Sequence, residues 1–335
     1  MNILVIGGTL FVGRPLVADL LKAGHEVTVL HRKPKHDFAR RVGNLMADRN
    51  DAASLRSALA GKRFDVVFDN VYDWERGTTA AQVEATARIV ASDRLTRYVF
   101  LSSVAAYGDG LNHHEGDALA PDDHADAYVR NKAMSERALF RMHQRDRFPV
   151  VTFRPPFIYG PGNNFYREAF FWDRLRDNRP IILPGDGHRL MQFVHVGDLV
   201  SCMIRAAELP EAGGQSFNVA NPKPITQYEA VEAFGRAAGK PVKFVRIPRD
   251  RILRAGGHPM GPKLYFAFYY DMPGITMVVN KAQRVLKFKP TDFDAGLKET
   301  YRRYLRNGHF PKPDYAFEDT LLEMAKRLPP PTEDD

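Results

Sequence analysis

Cysteine is nearly absent: Cys202 stands alone in 335 residues, so no disulfide can form within the chain. That excludes the small secreted scaffold held together by disulfides. Long apolar runs are also missing. Nowhere do the roughly 18 continuous apolar residues needed to cross a bilayer occur, and no membrane partner is expected. The opening Met1-Asn2-Ile3-Leu4-Val5-Ile6-Gly7-Gly8 lacks a basic leader and a small-residue cleavage site, and reads as a first strand. One thiol and no export signal make the cytoplasm the expected compartment. No internal repeat is visible. Metal ligands at convincing spacing are wanting too: His113-His114-Glu115 has no companions and reads as a solvated loop, so no metal is expected.

What is present points to a globular α/β protein. Apolar residues make up 44% of the chain, enough for a sizeable core and too many for a disordered one. The length fits one large α/β unit or two joined domains. The formal charge of +8 raises the local concentration of anions such as dinucleotides, sugar nucleotides or RNA. Much of it lies in His31 to Arg41, where a solvated loop and a phosphate-binding role remain open alternatives.

Short β-branched runs alternate with amphipathic stretches in the first half. Residues 2–6, Glu26 to Leu30, Phe64 to Phe68, Arg97 to Leu101 and Val150 to Phe153 read as strands. Helices are expected over about Arg14 to Ala23 and Thr78 to Ser92. This alternation predicts parallel βαβ units and a doubly wound sheet. After Arg154 proline, glycine and aromatics become frequent, which suits a smaller substrate-binding domain. The predicted division is 1–160 and 161–325, with Phe193 to Val196 and Phe217 to Val219 returning to the main sheet. Residues 326–335 are expected to be a disordered tail.

Gly7-Gly8-Thr9-Leu10-Phe11-Val12-Gly13 lies between the first strand and the first helix. Glycines there let the backbone turn sharply towards a pyrophosphate, which a helix N-terminus stabilises through its amides and dipole. The stretch resembles the glycine motif of extended short-chain dehydrogenases/reductases, the epimerase/dehydratase group, and departs from it at Leu10, where a second glycine is usual. The resemblance implies a Rossmann domain that binds NAD(P), with Gly7, Gly8, Thr9, Phe11, Val12 and Gly13 around the diphosphate. Ala47-Asp48-Arg49-Asn50 is similar to the family's acidic site beside the adenine, which implies Asp48 and Arg49 as cofactor residues. NAD-specific members end the second strand on a carboxylate; here it ends on His31-Arg32-Lys33. Arg32 can grip a 2′-phosphate in bidentate fashion, so NADP is the preferred cofactor and NAD the alternative.

Asp126-Ala127-Tyr128-Val129-Arg130-Asn131-Lys132 carries a tyrosine and a lysine four residues apart, on one face if helical. A phenol with a pKa of about 10 needs a nearby cation to act as a base at neutral pH. Lys132 can supply it while donating to the cofactor's ribose. Upstream, Phe100-Leu101-Ser102-Ser103-Val104-Ala105 resembles the family's serine motif. This implies Ser103 as the third catalytic residue, and Ser102 is assigned to the cofactor. Arg154-Pro155-Pro156-Phe157-Ile158-Tyr159-Gly160-Pro161 is similar to the family segment beside the nicotinamide, with Pro155 at the cofactor and Tyr159 at the substrate. Where the family grips a substrate phosphate with arginine this chain has Met191, and Arg189, two residues earlier, is the candidate substitute. Val104 and Ala105 replace the acid–base pair of the dehydratases. The implied activity is therefore simple dehydrogenation, reduction or epimerisation of a sugar-like hydroxyl or ketone, with a small-molecule substrate and a homodimeric assembly.

A second resemblance spans most of the chain. Leu10 in the glycine turn, the strand around Asp65 to Asp69, Phe170-Phe171-Trp172 and Pro313-Asp314-Tyr315-Ala316-Phe317-Glu318-Asp319 together resemble chloroplast stem-loop RNA-binding proteins, atypical members of the same superfamily. Those proteins lack the Tyr/Lys pair that this chain keeps, so RNA binding on a Rossmann scaffold ranks second to enzyme activity.

Overall fold

A computed structural model describes residues 1–38, 41–307 and 310–327. The expected tail lies outside the described residues from 328 onward; before it, the helix Ala316–Ala325 runs its course. The chain divides into two compact units. The first takes in 1–158, 194–222 and 275–290, and the second 159–193, 223–274 and the remainder from 291.

Seven strands form the central sheet of the first unit: β1 (Asn2–Ile6), β2 (Glu26–His31), β3 (Gly43–Met46), β4 (Val66–Asp69), β5 (Arg97–Leu101), β6 (Val150–Arg154) and β7 (Gln215–Asn218). Their order is β3-β2-β1-β4-β5-β6-β7, and every neighbouring pair is parallel. A sheet covered on both faces needs apolar residues at every position, and strand alternation then deals them to opposite layers. Ile3 and Val5 enter one layer with Val27, Val29, Phe68 and Phe153. There they meet Leu16, Val17 and Leu20 of α1 (Gly13–Lys22) and Leu199 and Met203 of the helix Val196–Glu208. Leu4 and Ile6 enter the other layer with Leu30, Val67, Tyr98 and Val150. Their partners are α2 (Ala52–Leu59), α3 (Ala80–Val90) and α4 (Ala127–Asp146), through Leu55, Val83, Ala87, Leu139 and Met142.

Local chemistry starts α2 and α3. Asp51 accepts the Ala53 and Ser54 amides ahead of α2, and Thr79 with Gln82 forms a reciprocal cap on α3. Connections leave β1 and β4 towards opposite faces of the sheet. The crevice outside their carboxyl ends is where ligands bind in open sheets of this kind.

Only one of the two expected returning strands joins the sheet. Gln215–Asn218 lies beside β6, whereas Phe193–His195 is excluded from the seven strands and belongs to a separate two-stranded ladder. A run as short as Phe193-Val194-His195 suits either position, and only long-range pairing chooses between them. The return of Ile275–Met277 to pair with Gly110–His113 had no sequence signal at all. In the second unit, Phe171 stacks on Phe234 at 4.8 Å, and Tyr265, Phe266 and Tyr270 are buried. The aromatic segment near 264–274 thus contributes to that unit's core.

Candidate functional site

The turn after β1 is built for close approach. Gly7 has φ +83°, and a Cβ on it would meet Val71 Cγ2 at 2.5 Å. A Cβ on Gly13 would lie 2.0 Å from the Gly7 carbonyl oxygen, so only glycine lets α1 start against the strand end. No side chain caps α1, and its first turn holds no acidic residue. Arg14 gives its amide to the Leu10 carbonyl at 3.0 Å and Pro15 has no amide hydrogen, so what faces an anion is the Gly13 backbone and the positive end of the helix dipole. Gly8 and Thr9 complete the turn, whereas the side chains of Phe11 and Val12 go down into the core and leave only their backbone to a ligand. Leu10, in place of the family's glycine, points out with 61% exposure.

Asn70 follows β4 directly, its amide held by the Ile6 carbonyl at 3.1 Å. Both polar atoms of its side chain are buried without a hydrogen-bond partner. Such an orphan costs about 1–3 kcal/mol unless a ligand satisfies it. A glycine cradle, an uncapped helix and an orphaned amide at the sheet's switch point fit a dinucleotide diphosphate.

At the end of β2, Arg32 is 62% exposed in its side chain, with Nη1 3.4 Å from Asp73 Oδ2. Within the basic segment, residues 39 and 40 lie outside the described residues. Asp48 accepts from the Asn50 amide at 2.9 Å and from Arg76 at 2.8 Å. Burial would raise Asp48, but the Asn50 amide and the Arg76 guanidinium outweigh it and hold its pKa below the usual value. Arg76 also grips Asp73 through Nε and Nη2, at 2.9 and 2.6 Å. The sequence had not singled out Arg76 or Asp73. Their signal was a dense run of aromatic and charged residues, Tyr72-Asp73-Trp74-Glu75-Arg76, directly after a strand at the switch point. Arg49 corrects an expectation. Its guanidinium turns into the core, where Nη2 meets Asp69 at 2.6 Å and Nη1 donates to Gln82 and Thr86, so that side chain is spent on the fold.

Asp126 caps α4 by accepting the Tyr128 and Val129 amides at 2.7 and 3.2 Å, which sets Tyr128 in the first turn and Lys132 one turn later. Lys132 is buried. Its Nζ donates to the Leu101 carbonyl at 2.7 Å and lies 5.8 Å from the centre of the Tyr128 ring. Burial lowers its pKa to about 8, partly offset by the nearby carboxylates of Asp69 and Glu136. Ser103 comes two residues after Leu101, and its Oγ accepts the Ala105 amide at 3.2 Å. The short helix that Ser103 caps, Val104–Tyr107, packs on α4 through Ala106, Val129 and Ala133. The Pro155 carbonyl accepts the Val104 amide at 2.9 Å, which ties the segment after β6 to the one after β5. Lys132 and Ser103 thus lie at the carboxyl end of β5, with Tyr128 one helical turn from Lys132.

Ser102 departs from its expected role at the cofactor. Its hydroxyl donates to Glu136 at 2.5 Å inside a buried network in which Glu136 also holds Thr152 and Arg154. Arg154 donates in turn to the Tyr107 hydroxyl at 2.8 Å, and burial pushes Tyr107 up to about 12. His113 is likewise structural, hydrogen-bonded to Asp117 and stacked on Tyr107 at 4.2 Å. Among the described residues, no group of three or more potential metal ligands gathers, and no helix is long and apolar enough to cross a membrane.

Two substrate candidates belong to the second unit, and both are occupied there. Arg189 donates to the Asp271 carbonyl at 3.0 Å and to its carboxylate at 3.2 Å, while Met191 is buried. Tyr159 is wholly buried, edge-on to Phe293 at 5.1 Å. Arg189 thus stands in an intramolecular ion pair with its side chain 31% exposed, whereas Tyr159 is a core ring and is not presented to a substrate as the sequence suggested.

The sequence model of the NAD dependent epimerase/dehydratase family matches residues 3–220. A chloroplast stem-loop binding protein of 41 kDa from Arabidopsis thaliana is 29% identical over 98% of this chain and 85% of its own length. A 3-beta-hydroxysteroid dehydrogenase from Mycolicibacterium neoaurum is 25% identical over 73% of this chain and 72% of its own. Among solved structures, a UDP-glucose 4-epimerase from Thermotoga maritima, bound to UDP-glucose, superposes with a TM-score of 0.73. It is 18% identical and is matched over 92% of this chain and 100% of its own, a likeness of fold.

Proposed function

Because the chain belongs to the NAD dependent epimerase/dehydratase family, we propose that it is an NAD(P)-dependent oxidoreductase or epimerase. Its substrate in this reading is a secondary hydroxyl or ketone on a sugar-like ring. The observation that carries it is the buried Lys132 ammonium beside the Tyr128 ring, one helical turn away and next to the strand end that bears Ser103. With a pKa of about 8, Lys132 is charged at neutral pH and favours the ionised phenol. Tyr128 Oη then takes the proton from a substrate hydroxyl, or returns it to a ketone oxygen. Ser103 accepts from the Ala105 amide through one lone pair and keeps its own O–H to donate to the reacting oxygen. When bound, the nicotinamide accepts or donates the hydride. Gly7, Gly8, Thr9 and Gly13 would hold its diphosphate, with the backbone of Phe11 and Val12; Arg32 and Asp48 would hold its adenosine end. The absence of an acid–base pair at Val104 and Ala105 favours redox chemistry over loss of water. Arg32, with no carboxylate at the end of β2, supports NADP over NAD.

Turnover with NADPH or NADH and UDP- or dTDP-linked hexoses and ketohexoses, followed by nicotinamide absorbance and product analysis, tests this reading. Tyr128→Phe should abolish turnover and leave the cofactor Kd nearly unchanged, because the phenol moves protons and does not anchor the dinucleotide. Near-normal turnover in that variant would remove Tyr128 from the mechanism. A second reading, nucleic-acid binding, is supported by the similarity to a stem-loop binding protein across almost the whole chain and by the +8 charge.

A further inference from the structure

We infer that Trp74 is the surface on which the substrate ring stacks, and that it selects saturated six-membered rings bearing a secondary hydroxyl or ketone. The inference rests on the oxidoreductase reading above. Trp74 is one of two tryptophans, and it keeps 46% of its surface exposed. Its indole stacks on the Tyr128 ring, with centroids 4.8 Å apart and planes 28° from parallel. Tyr72 packs edge-on against both, at 5.1 and 4.7 Å, and is itself held by Asn131 at 3.4 Å.

The turn that carries Trp74 is fixed from within. Asp73 Oδ1 accepts the Glu75 and Arg76 amides, each at 3.0 Å, and the Asp73 amide donates to Thr78 Oγ1 at 3.0 Å. Asn50 clamps the far side by donating to the Gly77 carbonyl at 2.7 Å. The indole is therefore ordered before a ligand arrives, and stacking on it costs little conformational entropy. The indole and the Tyr128 ring, centroids 4.8 Å apart, form one continuous aromatic surface beside the phenol, along which a substrate ring would lie. An indole face is electron-rich and favours polarised C–H groups over anionic ones. The C–H face of a hexose and the A ring of a 3β-hydroxysteroid share that chemistry.

Iodide quenching of tryptophan fluorescence reads Trp74 selectively, since Trp172 is only 2% exposed. The holoprotein with oxidised NADP would be titrated with UDP-glucose, dTDP-glucose and a 3β-hydroxysteroid. At least one should lower the quenching constant about twofold, and which one it is separates the sugar source from the steroid source. Trp74→Ala should weaken that ligand's Kd about tenfold, equivalent to about 1.4 kcal/mol, while Trp74→Phe keeps it within about threefold. The NADP Kd should not move in either variant. Quenching unchanged by all three probes, or a Trp74→Ala variant that binds as well as the parent, would overturn the inference. Failure of the parent protein to turn over any of these ligands with NADP(H) or NAD(H), while they still bind, would instead overturn the oxidoreductase reading, whatever Trp74 does.

Discussion

Two single residues bear predictions of opposite kinds. Lys132 carries a charge that burial disfavours, with a folded pKa of about 8 against an ordinary 10.5. Between those values the unfolded chain binds more protons than the folded one, so this group makes stability rise as pH climbs from about 8 to 10.5. Lys132→Met removes the charge and keeps the volume. It should raise the Tm at neutral pH, flatten the alkaline rise in stability and abolish turnover, as calorimetry across that window and an activity assay would show. A lower Tm in this variant would mean that the Leu101 contact and the nearby carboxylates outweigh the cost of burial. Arg32 is the reverse case, exposed and loosely paired, so its loss should not touch stability. Arg32→Ala should weaken NADP(H) about tenfold and leave NAD(H) nearly unchanged, as titration calorimetry would measure. A parent protein that prefers NAD(H) would refute the assignment.

At the scale of elements, α4 is the organising piece. Tyr128, Lys132 and Glu136 follow one another at four-residue intervals along one face, so one helix carries the phenol, its cation and the anchor beneath them. Glu136 sits in the buried ion pair with Arg154 and also holds Ser102 and Thr152. Glu136→Gln leaves the Arg154 charge uncompensated, and breaking a buried pair in this way costs on the order of 3–5 kcal/mol. Urea unfolding should show a loss of that size, and a loss below about 1 kcal/mol would show that Tyr107 and Ser216, whose hydroxyls accept from Arg154 at 2.8 and 3.2 Å, suffice to hold the arginine. The loop after β4 works at the same scale: one short turn brings Arg76 to Asp48 and Trp74 to Tyr128.

For the whole molecule, the +8 charge gives the second reading a physical form. Binding that rests on Lys and Arg at phosphates releases counterions, so the affinity for a stem-loop RNA should fall steeply and linearly on a log–log plot against salt. Filter binding or fluorescence anisotropy between 50 and 200 mM salt should show about a thousandfold loss if six or more phosphates are contacted. Salt-insensitive, sequence-selective binding would reverse the ranking of the two functions.

The sequence by itself determined what depends on neighbours along the chain. Strand and helix periods, the glycine spacing from Gly7 to Gly13, and the four-residue step from Tyr128 to Lys132 are local. Each acts through backbone geometry that a dozen residues specify. From these the parallel sheet and the placing of Tyr128 and Lys132 on one helix face were legible. Tertiary structure alone decided where long side chains point and which distant segments meet. Arg49, Ser102 and Arg189 occupy positions that match or adjoin binding motifs, yet Asp69, Glu136 and Asp271 claim them, from between 20 and 82 residues away. Trp74 meets Tyr128 across 54 positions, and the strand Phe193–His195 is left out of the sheet that Gln215–Asn218 enters. A flexible arginine or a three-residue strand has several partners of similar energy, and only the packed fold, by placing one of them within reach, selects among them.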